Sequence, residues 1–321
     1  MKREFNIRIF FILLFLTFLG ITFYASTSNA LTTVNRNDVE CTGNGGTISR
    51  PGTTDCEFTP DTQKITFYRL DLCTAAPTAP TTSAVADRSN CSTFFRNDDG
   101  SETTVVKNVG TQIGSASNYS TVPYGTYTHG YVTMGSIFKF KTSVTFDGNV
   151  TEIDASNSST TCVTKVSTEG IIYGWHDNLN TYAKGNADCT GTATAAEISI
   201  GVNTMTMDGS NNCYHAVTFA GTNSNIDAYL VTSDGTLHDN VGAGGNEGRV
   251  DNGSAGCTGS ADHDITRIEG VMPLSLTITP ETTGLQIRYN NTRGIKLDMS
   301  STSNRIYKFD SAFFDFELIA K

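Results

Sequence analysis

The sequence predicts an all-β protein: an antiparallel β-sandwich with a loop-rich insertion, stapled by disulfides. Three observations predict it. Short period-2 segments recur along the chain, with Gly, Asn and Asp turns between them. Thr, Ser, Asn, Asp and Gly dominate, and no long stretch keeps a 3.6-residue period. Eight cysteines all lie downstream of a leader with the parts of an export signal.

That leader reads Met1-Lys2-Arg3 to Arg8, then an apolar run from Ile9 to Tyr24, then Ser26-Thr27-Ser28-Asn29-Ala30. A basic start, an apolar middle and a small-residue exit place the cut after Ala30. The apolar run is shorter than the ~20 residues of a spanning helix, and no later segment approaches that length. The chain is therefore expected to be exported to a periplasm, cell surface or extracellular medium, with no membrane-spanning segment after signal removal.

The mature chain is long enough to bury a core of its own. Three parts are expected: the signal peptide over 1–30, an N-terminal loop segment over 31–59, and a β-sandwich over 60–321 with an insertion at about 149–264. Lys64 to Cys73 alternates, with Ile65, Phe67, Arg69 and Asp71 against Thr66, Tyr68, Leu70 and Leu72. Tyr124 to Phe146 supplies one or two more strands. Shorter candidates are Cys162–Ser167, Glu197–Ile200, Thr204–Met207, Cys213–Phe219 and Ala228–Thr232. The C-terminal stretch reads as a meander of Pro273–Thr279, Leu285–Tyr289, Ile295–Met299 and Phe313–Ile319. Pro77 to Ser83 is a loop, and so is the glycine-rich Asp234 to Asp264.

Pro123-Tyr124-Gly125-Thr126-Tyr127-Thr128 combines a Pro/Gly turn with the start of a Tyr/Thr strand. This stretch resembles the P-x-G-T-Y-T strand entry of uncharacterised secreted bacterial β-sandwich domains of prealbumin-like type. Lys64–Cys73 and Thr283–Tyr289 are similar to an early and a late strand of those domains. The resemblance covers about a third of the chain and implies a sandwich without assigned enzymatic activity. The eight cysteines and the middle region depart from that pattern.

The cysteines are Cys41, Cys56, Cys73, Cys91, Cys162, Cys189, Cys213 and Cys257. An even number in an exported chain favours bridges. Sequential pairing is the simplest arrangement, Cys41–Cys56, Cys73–Cys91, Cys162–Cys189 and Cys213–Cys257, each closing a polar loop. No C-x-x-C or H-x₃-H occurs, so the close ligand pairs of a structural zinc site are missing.

The formal net charge is −10. Losing Lys2, Arg3, Arg8 and Glu4 with the leader leaves 19 basic and 31 acidic residues, or −12. Nucleic acid is not attracted to such a surface and is not an expected partner; other surface proteins or glycans are.

No G-x-S-x-G elbow, H-E-x-x-H helix, P-loop or G-x-G-x-x-G marks a known chemistry. His129, His176, His215, His238 and His263 are scattered. No cofactor is expected, with calcium the one ion whose oxygen ligands are at hand: Asn97-Asp98-Asp99, Asp234 with Asp239, and Asp262 with Asp264. Tyr173, Trp175 and His176 form the candidate ligand-binding cluster, where a flat ring beside polar groups suits a sugar. Asp227, Glu197 and Glu269 are the carboxylates that a dispersed hydrolase site would draw on. The expected function is a non-enzymatic cell-surface or periplasmic role in structure or interaction, with a carbohydrate-binding module and a secreted hydrolase as the alternatives.

Overall fold

A computed structural model describes residues 31–34, 39–44, 46–106, 111–152, 158–168, 170–173, 185–202, 205–207, 213–220, 225–238, 249–250, 265–300, 302, 304–312 and 315–321. The strands run in chain order from β1 (Thr32–Val34), β2 (Val39–Glu40), β3 (Gly43–Asn44), β4 (Thr47–Ile48), β5 (Cys56–Phe58), β6 (Thr62–Cys73), β7 (Cys91–Val105) and β8 (Gly125–Gly135). They continue through β9 (Ile137–Lys141), β10 (Ser143–Glu152), β11 (Ser158–Thr164), β12 (Ile171–Tyr173), β13 (Ala187–Asp188), β14 (Ile198–Gly201), β15 (Thr206–Met207) and β16 (Cys213–Tyr214). The last are β17 (Ala216–Ala220), β18 (Asn225–Val231), β19 (Arg249–Val250), β20 (Arg267–Ile278), β21 (Leu285–Asn290), β22 (Ile295–Met299), β23 (Arg305–Ser311) and β24 (Asp315–Ala320). Among the described residues there is no α-helix, only a 3₁₀ turn at Ala116–Asn118.

Two large sheets pack face to face. The ten-stranded one runs β1-β17-β18-β20-β8-β6-β9-β14-β12, with β7 also on β6. The nine-stranded one runs β13-β11-β10-β23-β22-β5-β2, with β3 and β4 joining at β10. Their facing sides meet in one core, where Ile65, Leu70, Val132, Phe138 and Leu230 of the first sheet pack with Phe146, Val150, Leu297, Ile306 and Phe309 of the second. Burying these large apolar side chains is the main favourable contribution to folding.

The all-β sandwich is thus present, with its strands assigned differently in places. Residues 31–59, expected as a loop segment, carry β1 to β5, which pair into both sheets. Within the 149–264 region, β17 and β18 lie inside the larger sheet, with Val217 and Leu230 fully buried. The C-terminal stretch is not a meander. β20 joins the first sheet, β22 and β23 the second, and β21 pairs with β24 in a two-stranded ribbon. The alternation in each strand was readable, but alternation does not say which sheet a strand enters.

Three bridges are present: Cys41–Cys56, Cys73–Cys91 and Cys162–Cys189. Each joins neighbours in the sequence. Of the fourth expected pair, Cys257 and the side chain of Cys213 lie outside the described residues.

The strand-entry motif closes on itself. Tyr127 is buried and donates its hydroxyl to the carbonyl oxygen of Pro123 at 2.7 Å. Gly125 between them has φ of +153°, a conformation open to glycine.

Candidate functional site

The larger sheet has a second face, turned away from the core, and it too is covered. A break in alternation within β6 creates this site. Ile65 and Phe67 are buried on one parity, then Leu70 and Leu72 one residue out of step. The change of parity is a bulge at Tyr68: Phe67 opposes Met134 while Arg69 opposes Thr133. Tyr68, Arg69 and Asp71 are thereby turned to the outer face.

Opposite them stand Tyr131 and Thr133 of β8, with Arg267 and Glu269 of β20 in the next register positions. Tyr131 is 1% exposed and Glu269 5% exposed, and the phenol donates its hydrogen to Oε2 of Glu269. Asp71 is 1% exposed and accepts both bonds from Nε of Arg69, at 2.8 and 2.7 Å. Arg69 also donates to the hydroxyl of Thr93 on β7 at 2.7 Å. Thr133 is 3% exposed, and its hydroxyl has no hydrogen-bond partner among the described residues.

Two loops cross over this face. The 74–90 loop folds on itself through Thr78–Asp87 and Thr81–Ala84 bridges, and Cys73–Cys91 closes its base. The turn between Val231 and Leu237 meets it through a Val85–Thr236 bridge and a Leu237 N–H to Thr81 carbonyl bond of 2.9 Å. Asp234 shapes that turn by accepting from the Thr232 hydroxyl and from the Thr236 N–H, the latter at 3.1 Å, and these bonds hold its carboxyl low, at about 2. Apolar residues pack together on this face, among them Tyr229, Val231, Leu237 and Val271. At Gly235 a Cβ would stand 4.0 Å from Oε1 of Glu269, so the turn lies directly against the carboxyl.

Two guanidinium groups complete the site, each seated on a tyrosine ring. Arg88, from the 74–90 loop, lies 5.1 Å from the centroid of Tyr131. Arg267 lies 4.4 Å from that of Tyr68. Neither has a carboxylate at ion-pair distance among the described residues, whereas Arg69 pairs with Asp71 and Arg96 with Asp98. Burial pushes the Glu269 carboxyl above its ordinary range, against the pull of the Tyr131 hydrogen bond and of Arg88, Arg267 and Arg69. Burial, with the nearby Glu269 charge, also raises the Tyr131 phenol, which stays a proton donor.

Of the sequence candidates, Glu269 belongs to this site. Asp227 sits on the same sheet, opposite Val271, and accepts from Thr218 at 2.6 Å. Glu197 stands elsewhere, paired with Lys64 at 2.8 Å. The three carboxylates are therefore not gathered into one constellation. His215 and His238 are brought together instead, both buried, with rings 4.9 Å apart. Asp98 is engaged by Arg96 at 2.8 Å, and Asn97 by the Gly100 carbonyl at 3.0 Å. Among the described residues, no group of three or more His, Cys, Asp or Glu has the arrangement to hold a metal ion. Trp175, His176, the side chain of Tyr173, and Asp239, Asp262 and Asp264 lie outside the described residues.

Sequence reading missed Arg69, Asp71, Arg88, Tyr131, Thr133 and Arg267. One signal was available: the apolar residues of Lys64–Cys73 switch parity at Tyr68, which announces a bulge, and bulges re-aim side chains. No family model, no curated protein and no solved structure matches the chain.

Proposed function

We propose that this chain is an exported, non-enzymatic β-sandwich protein of a bacterial periplasm, cell surface or surrounding medium, with a structural or interaction role. The observation that carries this reading is the set of three disulfides in a chain whose first 30 residues have the composition of an export signal. Disulfides persist where the compartment is oxidising. No helix among the described residues is long and apolar enough to cross a membrane.

The chemistry of the outer face favours holding over turnover. Glu269 is engaged by Tyr131 and Asp71 by Arg69, so neither stands free as a base beside a nucleophile. The buried, self-closing Tyr127 entry is in keeping with the resemblance to prealbumin-like domains, which forms part of this proposal.

Expression of the full chain with a C-terminal tag, followed by N-terminal sequencing of the exported form, tests the reading. Leu31 as first residue is expected. Alkylation of the denatured, unreduced protein should label none of the six bridged cysteines. An uncut chain retained in the cytosol with reactive thiols refutes the proposal.

A further inference from the structure

The outer-face cluster gathers several guanidinium groups, two of which have no carboxylate at ion-pair distance among the described residues. Arg69, Arg88 and Arg267 face Asp71 and Glu269, and only Arg69 has its carboxylate in contact. Arg88 and Arg267 are each seated over a tyrosine ring, a contact made with the face of the ring and not with an acceptor for their N–H groups. A planar fork matches a carboxylate through two parallel hydrogen bonds.

Two more features sit between these arginines. The hydroxyl of Thr133 is buried without a partner among the described residues, on the strand that separates Arg69 from Glu269. A buried hydroxyl in that state is costly, and such groups in folded proteins call for an explanation. Glu269 is held by Tyr131 through Oε2, while Oε1 lies toward Gly235 of the crossing turn. The site thus combines guanidinium forks with a hydroxyl and a carboxyl oxygen that suit a ligand's own hydroxyl groups.

From this we infer that the outer face of β6, β8 and β20, beneath the two crossing loops, binds a hydroxycarboxylate, with the carboxylate on Arg88 and Arg267 and the hydroxyl groups at Thr133 and Glu269. Free sugar acids and the uronate units of an acidic glycan share this chemistry. The inference rests on the interaction role proposed above only in that the ligand is held and released unchanged.

The test is isothermal titration of the full chain, disulfides intact, at low salt, with gluconate, glucuronate and trigalacturonate. Galactose and inorganic sulfate are the controls. At least one hydroxycarboxylate is expected to bind with Kd of about 1 mM or below. Arg88→Gln and Arg267→Gln should each weaken it about tenfold or more. Thr133→Val keeps the shape of the side chain and removes only the hydroxyl, so it should weaken binding while leaving the melting midpoint in place. Binding of the monomeric acids alone supports a free sugar acid, and of trigalacturonate alone an acidic glycan. Absence of binding by all three acids overturns the inference. So does sulfate binding as tightly as the acids, or affinity that all three substitutions leave unchanged. Release of new reducing ends from trigalacturonate would instead overturn the non-enzymatic reading and leave the ligand assignment standing.

Discussion

The side chain of Asn186 and the backbone of Phe309 close a two-bond ring, 123 residues apart in sequence: the amide donates to the Phe309 carbonyl at 2.8 Å and accepts from its N–H at 2.7 Å. The need arises because β10 and β23 pair only at Thr151–Arg305 and Glu152–Ile306. Further along β23, no described strand pairs with the edge facing away from β22 at Phe309, and Asn186 supplies a backbone-like donor and acceptor there.

Asn186 is fully buried, so its removal leaves the Phe309 groups without protein or water partners. Asn186→Ala should destabilise the fold by about 2–4 kcal/mol, since each orphaned buried group costs about 1–3 kcal/mol. Asn186→Asp keeps the acceptor but loses the donor and should be at least as damaging. Urea midpoints of the three proteins decide this; an Ala variant within error of wild type contradicts the role assigned.

The strand-entry motif makes a separable prediction. At Gly125 a Cβ would meet no atom within 4 Å, so the cost of a side chain there lies in the backbone alone. With φ at +153°, Gly125→Ala should cost about 1–3 kcal/mol. Tyr127→Phe removes the bond from this buried phenol to the Pro123 carbonyl, for a loss of about 1 kcal/mol. Thermal melts should fall for both variants. No change in either would detach the motif from stability.

Asp298 contributes to the pH dependence of stability. Burial, together with Asp310 and Asp55, pushes its carboxyl up to about 6, against the pull of Lys308 and Lys296. The folded chain holds this proton more tightly than the unfolded one. The group's contribution to stability is therefore present in full below about pH 4 and is lost as pH rises through about 6. A shift of about two pKa units sets the size at no more than about 3 kcal/mol. Asp298→Asn should flatten the stability profile between those values and leave the variant above wild type at pH 8, with Lys308 still held by Asp310 at 3.4 Å. Denaturant titrations at pH 5 and pH 8 give the answer, and a steeper profile in the variant would sink the assignment.

Removing the Cys73–Cys91 bridge tests the crossing loops. The bond closes a loop of sequence separation 18 at the base of the 74–90 segment. Replacing both cysteines by serine should cost about 3 kcal/mol by the chain-entropy relation. Hydrogen exchange should quicken first at Leu237, whose N–H bonds to the Thr81 carbonyl. Protection there equal to wild type would mean that the loops stand without the bridge.

The sandwich was legible because alternation in Lys64–Cys73 or Ile295–Met299 is a property of each strand by itself. Which sheet a strand joins is not, and β20 to β24 show it: neighbours in sequence part into different sheets. The outer-face site was illegible for the same reason. Tyr131 and Glu269 lie 138 residues apart, and only the register of β8 on β20 makes them partners. Arg88 sits in a stretch that reads as a plain polar loop, and nothing local tells that the loop folds back over the sheet. Glu269 was singled out as one carboxylate among several, without the phenol and guanidinium groups that give it a role.

The three bridges each join consecutive cysteines, at separations of 15, 18 and 27. The sheets are stitched in the opposite manner, with β5 on β22, β10 on β23 and β8 on β20. Such distant pairing is slow to nucleate. If the chain is exported as proposed, emerging N-terminus first into an oxidising space, each cysteine meets its mate before the next pair arrives, so oxidation can run ahead of tertiary structure. By the time β20 emerges, the earlier part of the polypeptide is already tied into three closed circuits. The long search for strand partners then proceeds from a shortened set of conformations, with vectorial delivery standing in for much of the sorting that an interleaved pattern would demand of an isomerase.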